Sequence, residues 1–214
     1  KINAFFKTQF PDALALIPNI AAEFSNNPTG ALGTVKCAPW YHQHKTLIMG
    51  DAAHAVVPFY GQGMNASFED VTVFDAILSK HEGDWERVFK EFEKARKEDA
   101  DAIGDLAEEN YFEMRDHVTN PLFKEKRKLE MELEKSFPNE YFSKYSMVTF
   151  KEDIPYSEAM KKGRAQDKAL LNMIADKEIS TSGAMTKEAL AMILKRVQEE
   201  TNEMLAEDVI AGLK

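Results

Sequence analysis

The chain has 214 residues, 44% hydrophobic and 29% charged, enough apolar content to bury a core as one large or two small domains. A net charge of -9 and a pI near 5.2 argue against nucleic acid or an anionic membrane surface as partner, because phosphate-rich partners require a basic face. Cys37 is the only cysteine, which excludes an internal disulfide and fits a reducing, cytoplasmic setting, and no apolar run approaches the ~18 to 20 residues of a membrane span.

In chain order, Ile2, Phe5, Phe6 and Phe10 stand near helical spacing and Pro11 closes that segment. Residues 11–20 read as a short apolar connection. Ser25 to Gly30 is a turn cluster, and Leu32 to Trp40 an extended segment ending at Pro39. His42, Gln43 and His44 form a polar turn. Two histidines one residue apart suit a metal on a strand, but no third ligand is near, so exposed turn histidines are the simpler reading.

Thr46 to Met49 is a short apolar run bounded by Gly50, which predicts a buried strand in a sheet covered on both faces, with Asp51 at its carboxyl end. Ala52 and Ala53 keep the chain slim there, and a carboxylate in that place can accept bonds from sugar-like hydroxyls. His54 is read as holding backbone in place rather than as a proton donor. After Pro58, the run Phe59-Tyr60-Gly61-Gln62-Gly63-Met64-Asn65 reads as a loop delivering a helix N-terminus, its glycines free for positive φ or close ligand approach. Met64, Phe68, Val71, Phe74 and Leu78 then mark one face of an amphipathic helix. The unpaired N–H groups of its first turn favour an anionic group.

From Asp84, the N-cap after Gly83, a long helix is predicted to His117, with Trp85, Val88, Phe89, Phe92, Ala95, Ile103, Leu106, Ala107, Tyr111 and Met114 mostly on one stripe. Gly104 inside it implies close packing. Asn110 falls in an apolar row with Ile103, Ala107 and Met114, so its amide needs a partner, in the simplest case on a neighbouring helix. Asn120-Pro121 starts another helix that runs to Ser136, and its KEKRK run reads as a solvated face. Tyr141 to Phe150 fits helix or strand alike. Tyr145 there is most simply a core tyrosine with a satisfied hydroxyl. Pro155 opens a further helix, and Thr181-Ser182-Gly183 separates it from a last one, Thr186 to about Ala211. The tail from Asn120 thus reads as a small helical domain (120–214) behind a first part (1–119).

The pattern GDAAH (50–54), then PFYGQGMN (58–65) and a helix with Glu69-Asp70, resembles the second flavin motif of single-component FAD aromatic hydroxylases. With ENYFEM (109–114) and YSMVTF (145–150), it is similar to the kynurenine 3-monooxygenase group of that family, over most of residues 30–160. Three motifs in order make the match specific, whereas GDAAH alone points only to the superfamily.

The resemblance implies an α/β parent fold of the FAD/NAD(P)-binding, p-hydroxybenzoate-hydroxylase type, this stretch being mostly α with a few strands. No G-x-G-x-x-G occurs in the sequence, so the N-terminal half of the parent protein is expected to be missing, with the arginine that pairs the substrate carboxylate, and the chain alone is expected not to turn over. The implied reaction is hydroxylation of L-kynurenine with FAD, NADPH and O2. By the same resemblance, Gly50, Asp51, Gln62, Gly63, Met64 and Asn65 serve the cofactor, while Asn110, Tyr145, Phe59, Tyr60 and Met114 serve the substrate. Eukaryotic members are anchored in the membrane through their C-terminus, whereas the polar, acidic end of this sequence fits a soluble, bacterial-type enzyme. A hydroxylase of another aromatic acid and a non-catalytic helical binding module are the rival readings.

Overall fold

The computed structural model describes residues 1–176, 179 and 185–212. Thr181-Ser182-Gly183, expected as a break between helices, lies outside the described residues. Two compact units divide the chain, Lys1–Leu32 and Gly33–Lys214. The boundary expected at 119/120 falls inside the second.

In the first unit, helix α1 (Ile2–Gln9) is followed by α2 (Pro11–Leu16) and α3 (Ile20–Asn26). Residues 11–20 are therefore not a mere connection. Pro11 stands in the first turn of α2, where its missing N–H costs nothing. Phe5, Phe6 and Phe10 cluster with ring centroids 5.7 to 6.1 Å apart.

The second unit begins with irregular backbone through Pro39 and a small antiparallel hairpin, β1 (Tyr41–His42) with β2 (Thr46–Leu47), turning at Gln43, whose φ is 52°. This pair is the whole sheet among the described residues. The strand expected as buried over Thr46 to Met49 is thus two residues long, with Thr46 exposed and Leu47 half-buried, and the Ile48 N–H extends the ladder by donating to the Trp40 carbonyl. His42 and His44 are exposed, and no group of metal ligands forms among the described residues.

Six α-helices follow: α4 (Asp51–His54), α5 (Gly63–His81), α6 (Trp85–Asp116), α7 (Pro121–Ser136), α8 (Lys144–Phe150) and α9 (Tyr156–Ala175). After them comes α10 (Lys187–Gly212). The long helix is as expected. Asp84 caps it by accepting from the Arg87 amide, and Val88, Phe89, Phe92, Ile103, Leu106 and Ala107 are buried along it. Asn120 caps α7 and Ser143 caps α8 in the same manner, and of the open stretch 141–150 the residues Lys144–Phe150 are helix.

The long α6 packs on α5 and α9, and α9 on α7, α8 and α10. One core joins Tyr60, Ala66, Ile103, Leu106, Met147 and Ala159. A second lies among α7, α9 and α10, built on Leu129, Leu133, Leu170, Met173, Leu194 and Val197. Gly104 is buried, and a Cβ there would come within 3.2 Å of Lys36 Cε and 3.3 Å of Thr34 Cγ2. Two expectations fail. Of the expected α5 face, Met64, Phe68 and Val71 are 68%, 65% and 55% exposed, while Phe74 packs on Phe92 with ring centroids 5.7 Å apart. Lys126, inside the KEKRK run, is buried rather than solvated.

Candidate flavin and substrate site

Gly50 has φ 58° and hands the chain straight into α4, so Asp51 starts a helix rather than ending a strand. The Gly50 amide donates to Asp70 Oδ2 at 2.9 Å. Asp70 is fully buried on α5, and His54 Nε2 reaches the same oxygen at 2.6 Å while Arg96 Nε on α6 donates to Oδ1 at 2.8 Å. Arg96 also pairs with Glu69 at 2.9 Å and donates to the Ala66 carbonyl. Burial alone would raise the Asp70 carboxyl, but the bonds from His54, Arg96 and the Gly50 amide outweigh it and hold the group below its ordinary range. Trp40 covers the His54 ring at 5.3 Å. This network ties the GDAAH turn to α5 and α6. Sequence reasoning missed it, although Arg96 stands four residues after Phe92 and four before Ala100, both buried, where a charge demands a partner.

Between α4 and α5 the chain turns at Gly61, φ 71°, with nothing within 4 Å of where a Cβ would stand. No side chain caps α5. The amides of Gly63, Met64 and Asn65 thus remain at its first turn without a side-chain acceptor from Gln62, the residue at the cap position. A groove of about 470 Å³ opens there, lined by Asp51, Pro58, Gly61, Gly63, Met64 and Phe68. Asp51 is exposed on its wall. The Gln62 side chain turns the other way and is buried, its Oε1 accepting from Asn65 Nδ2 at 2.8 Å and the Tyr156 hydroxyl at 3.2 Å. Gln62 and Asn65 line a separate polar cavity of about 610 Å³ with Glu69, Lys151 and Asp153.

A smaller cavity of about 170 Å³ brings Tyr60, Asn110, Met114 and Tyr145 together. Tyr60 is buried and stacks on Tyr145, ring centroids 5.8 Å apart and planes at 24°. Burial also pushes the Tyr60 hydroxyl well above its ordinary pKa, so it stays protonated. Tyr145 is 42% exposed, so it is a wall and not a core residue. Asn110 Nδ2 donates to the Phe59 carbonyl at 2.7 Å and approaches Met114 Sδ. Its partner is therefore the turn before α5, where a neighbouring helix was the simplest expectation. The Phe59 ring packs on Tyr111 at 4.7 Å, outside the lining of this cavity.

Charged groups unforeseen in the sequence also line the cavity: Glu113, Lys126, Arg127, Glu130, Lys144 and Asp167. Burial pushes the Glu130 carboxyl up, against the opposing pull of Lys126. Lys144 is also desolvated, but Asp167 and Glu113 outweigh that and raise its pKa, so it remains an ammonium.

Residues 32–107 match the FAD binding domain family. The sequence is 50% identical over 167 residues to kynurenine 3-monooxygenase of Myxococcus xanthus (strain DK1622), covering 78% of this chain and 36% of that protein. The enzyme of the same name from Legionella pneumophila (strain Corby) is 44% identical over 166 residues (78% and 37%), and that of Flavobacterium psychrophilum (strain ATCC 49511 / DSM 21280 / CIP 103535 / JIP02/86) 41% over 182 (85% and 40%). The chain thus spans between 36% and 40% of the length of these relatives. Along that stretch, the chain is similar to the kynurenine 3-monooxygenases and, over residues 32–107, to the FAD binding domain family.

Proposed function

We propose that this chain forms part of an FAD-dependent monooxygenase that hydroxylates L-kynurenine to 3-hydroxykynurenine with NADPH and O2, on an α/β parent fold of which residues 1–119 and 120–214 are successive parts. The observation that carries the reading is the shared cavity. Tyr60, Asn110, Met114 and Tyr145 come from three separate stretches of sequence, and all of them line one pocket. That pocket is tied to the turn leading into α5 by the bond from Asn110 to the Phe59 carbonyl.

The residues present fit a flavin. An uncapped helix start and a glycine turn with open space beside it suit a ring edge that carries negative charge. When bound, the flavin supplies the redox chemistry, accepting hydride from NADPH and activating O2 for insertion into the aromatic ring. The protein binds, orients and shields. Gly63, Met64 and Asn65 would present main-chain amides to the pyrimidine edge and stabilise charge there. Asp51, in the same groove, would accept from hydroxyls of the ribityl chain. Gly50 fixes where Asp51 begins α4, through its own bond to Asp70. Gln62, pinned by Asn65 and Tyr156, shapes the loop from behind.

On the substrate side, the stacked pair Tyr60 and Tyr145 would form one wall for the kynurenine, together with Met114. Asn110 and the Tyr145 hydroxyl would bond its amino acid group, and Phe59 would hold Asn110 in place through its carbonyl. Stacked rings also keep water from the reacting face. The test is spectral. In the FAD-loaded protein containing this chain, L-kynurenine perturbs the flavin absorbance and accelerates NADPH oxidation, and other aromatic acids do not. A flavin spectrum indifferent to L-kynurenine but responsive to another aromatic acid transfers the assignment to that substrate. Absence of FAD binding refutes the enzyme reading outright.

A further inference from the structure

Lys144 precedes Tyr145 at the start of α8, and its placement is unusually constrained. Its stem crosses α9 at Gly163, where a Cβ would sit 2.6 Å from both Lys144 Cβ and Cγ and 3.1 Å from its Cα. One turn further along α9, Asp167 Oδ2 accepts the Lys144 ammonium at 3.0 Å. Asp167 Oδ1 takes Lys126 of α7 at 2.6 Å, so one carboxylate bridges ammoniums from two helices. Glu113 of α6 also meets Lys144 at 3.0 Å, and Glu109 lies 3.6 Å away. The ammonium is therefore held from α6 and α9 together, with only 11% of its side chain exposed.

We infer that Lys144 is a positioning residue for the L-kynurenine pocket: seated in the Gly163 notch and anchored on Asp167 and Glu113, it fixes the first turn of α8 and with it the distance of the Tyr145 ring from Tyr60. This rests on the proposed function for the identity of the ligand but not for the clamp itself. The reasoning is geometric. A seven-residue helix has little stability of its own, so its packing must come from tertiary contacts. Lys144 supplies an ionic contact at the N-terminal end, while Met147 and Val148 bury the middle. Tyr145 itself is 42% exposed, and its ring contacts with Tyr60 and Phe150 leave its backbone to be seated by neighbouring residues. Losing the anchor lets the wall of a cavity of only about 170 Å³ shift, and a displacement near 1 Å is costly for a positioned ligand.

The experiment compares Lys144→Met, which keeps most of the stem and removes the charge, with Lys144→Arg, Tyr145→Ala and the double variant Lys144→Met/Tyr145→Ala, all in the FAD-loaded protein. Amide hydrogen exchange over residues 144–150, read without ligand, is expected to speed up by about tenfold or more in Lys144→Met and by far less in Lys144→Arg. The L-kynurenine concentration giving half the flavin absorbance change rises by about tenfold in Lys144→Met with FAD content unchanged. The double variant loses no more than Tyr145→Ala alone, because coupled residues are not additive. Unchanged exchange in Lys144→Met overturns the clamp, and losses that multiply in the double variant overturn its action through Tyr145. If the wild type ignores L-kynurenine while exchange responds as expected, the clamp stands and the substrate assignment falls.

Discussion

Asp70 accepts from the Gly50 amide, His54 and Arg96 at full burial, so three elements converge on one carboxylate. Removing one partner of a buried pair leaves a charge without compensation, and Arg96→Met is expected to cost about 3 to 5 kcal/mol, measured by urea unfolding. The pH dependence follows from direction alone. Asp70 is held below its ordinary value of 3.8, so the folded state binds its proton less readily than the unfolded state. Its contribution is complete above that value and drains away as the pH falls toward the depressed one. Asp70→Asn should therefore lose stability at neutral pH and show a flatter acid limb. A limb parallel to that of wild type contradicts this account of the network. Asn110 is the residue whose role differs most between structure and substrate: Asn110→Ala should weaken L-kynurenine binding about tenfold or more while costing only about 1 kcal/mol of stability, since a single half-buried bond to the Phe59 carbonyl is lost.

Among the elements, α9 and α6 each carry a buried glycine, and the two should tolerate a methyl group to different degrees. At Gly163 the added carbon meets the Lys144 stem and backbone, so Gly163→Ala should destabilise by about 1 to 3 kcal/mol despite the better helix propensity of alanine. At Gly104 the nearest atom is the far end of Lys36, which can swing aside, and Gly104→Ala should stay within about 1 kcal/mol of wild type. Thermal melts of both variants decide it, and equal losses would contradict the notch. Helix ends were legible where a capping residue preceded a periodic run, as at Asp84 and Asn120. The six-residue α2 and seven-residue α8 lie below what a 3.6-residue period can register. The face of α5 was misjudged for another reason. Periodicity reports that a helix has two faces and not which one is covered, and here the side with Asp70 turns inward while Phe68 is 65% exposed. Phe68→Ser should accordingly change the stability of this chain by less than about 0.5 kcal/mol, against a loss of about 3 to 5 for Phe92→Ala.

For the molecule as a whole, the second unit brings a groove at the start of α5 and a tyrosine-walled cavity beside α6 and α8 together through the turn Pro58 to Asn65. The motifs in that turn and in ENYFEM were readable because each keeps several residues of distinct chemistry in a fixed short order. The charged rim of the cavity was not, since Lys126, Lys144 and Asp167 come from three helices and meet only when those helices pack. No helix among the described residues is long and apolar enough to cross a membrane. The most direct measurement is a titration of L-kynurenine into the FAD-loaded protein, wild type beside Asn110→Ala and Tyr145→Ala, followed by flavin absorbance. The account predicts a saturable change in the wild type, shifted to about tenfold higher concentration in both variants with FAD retained. Identical titrations in all three proteins would contradict it.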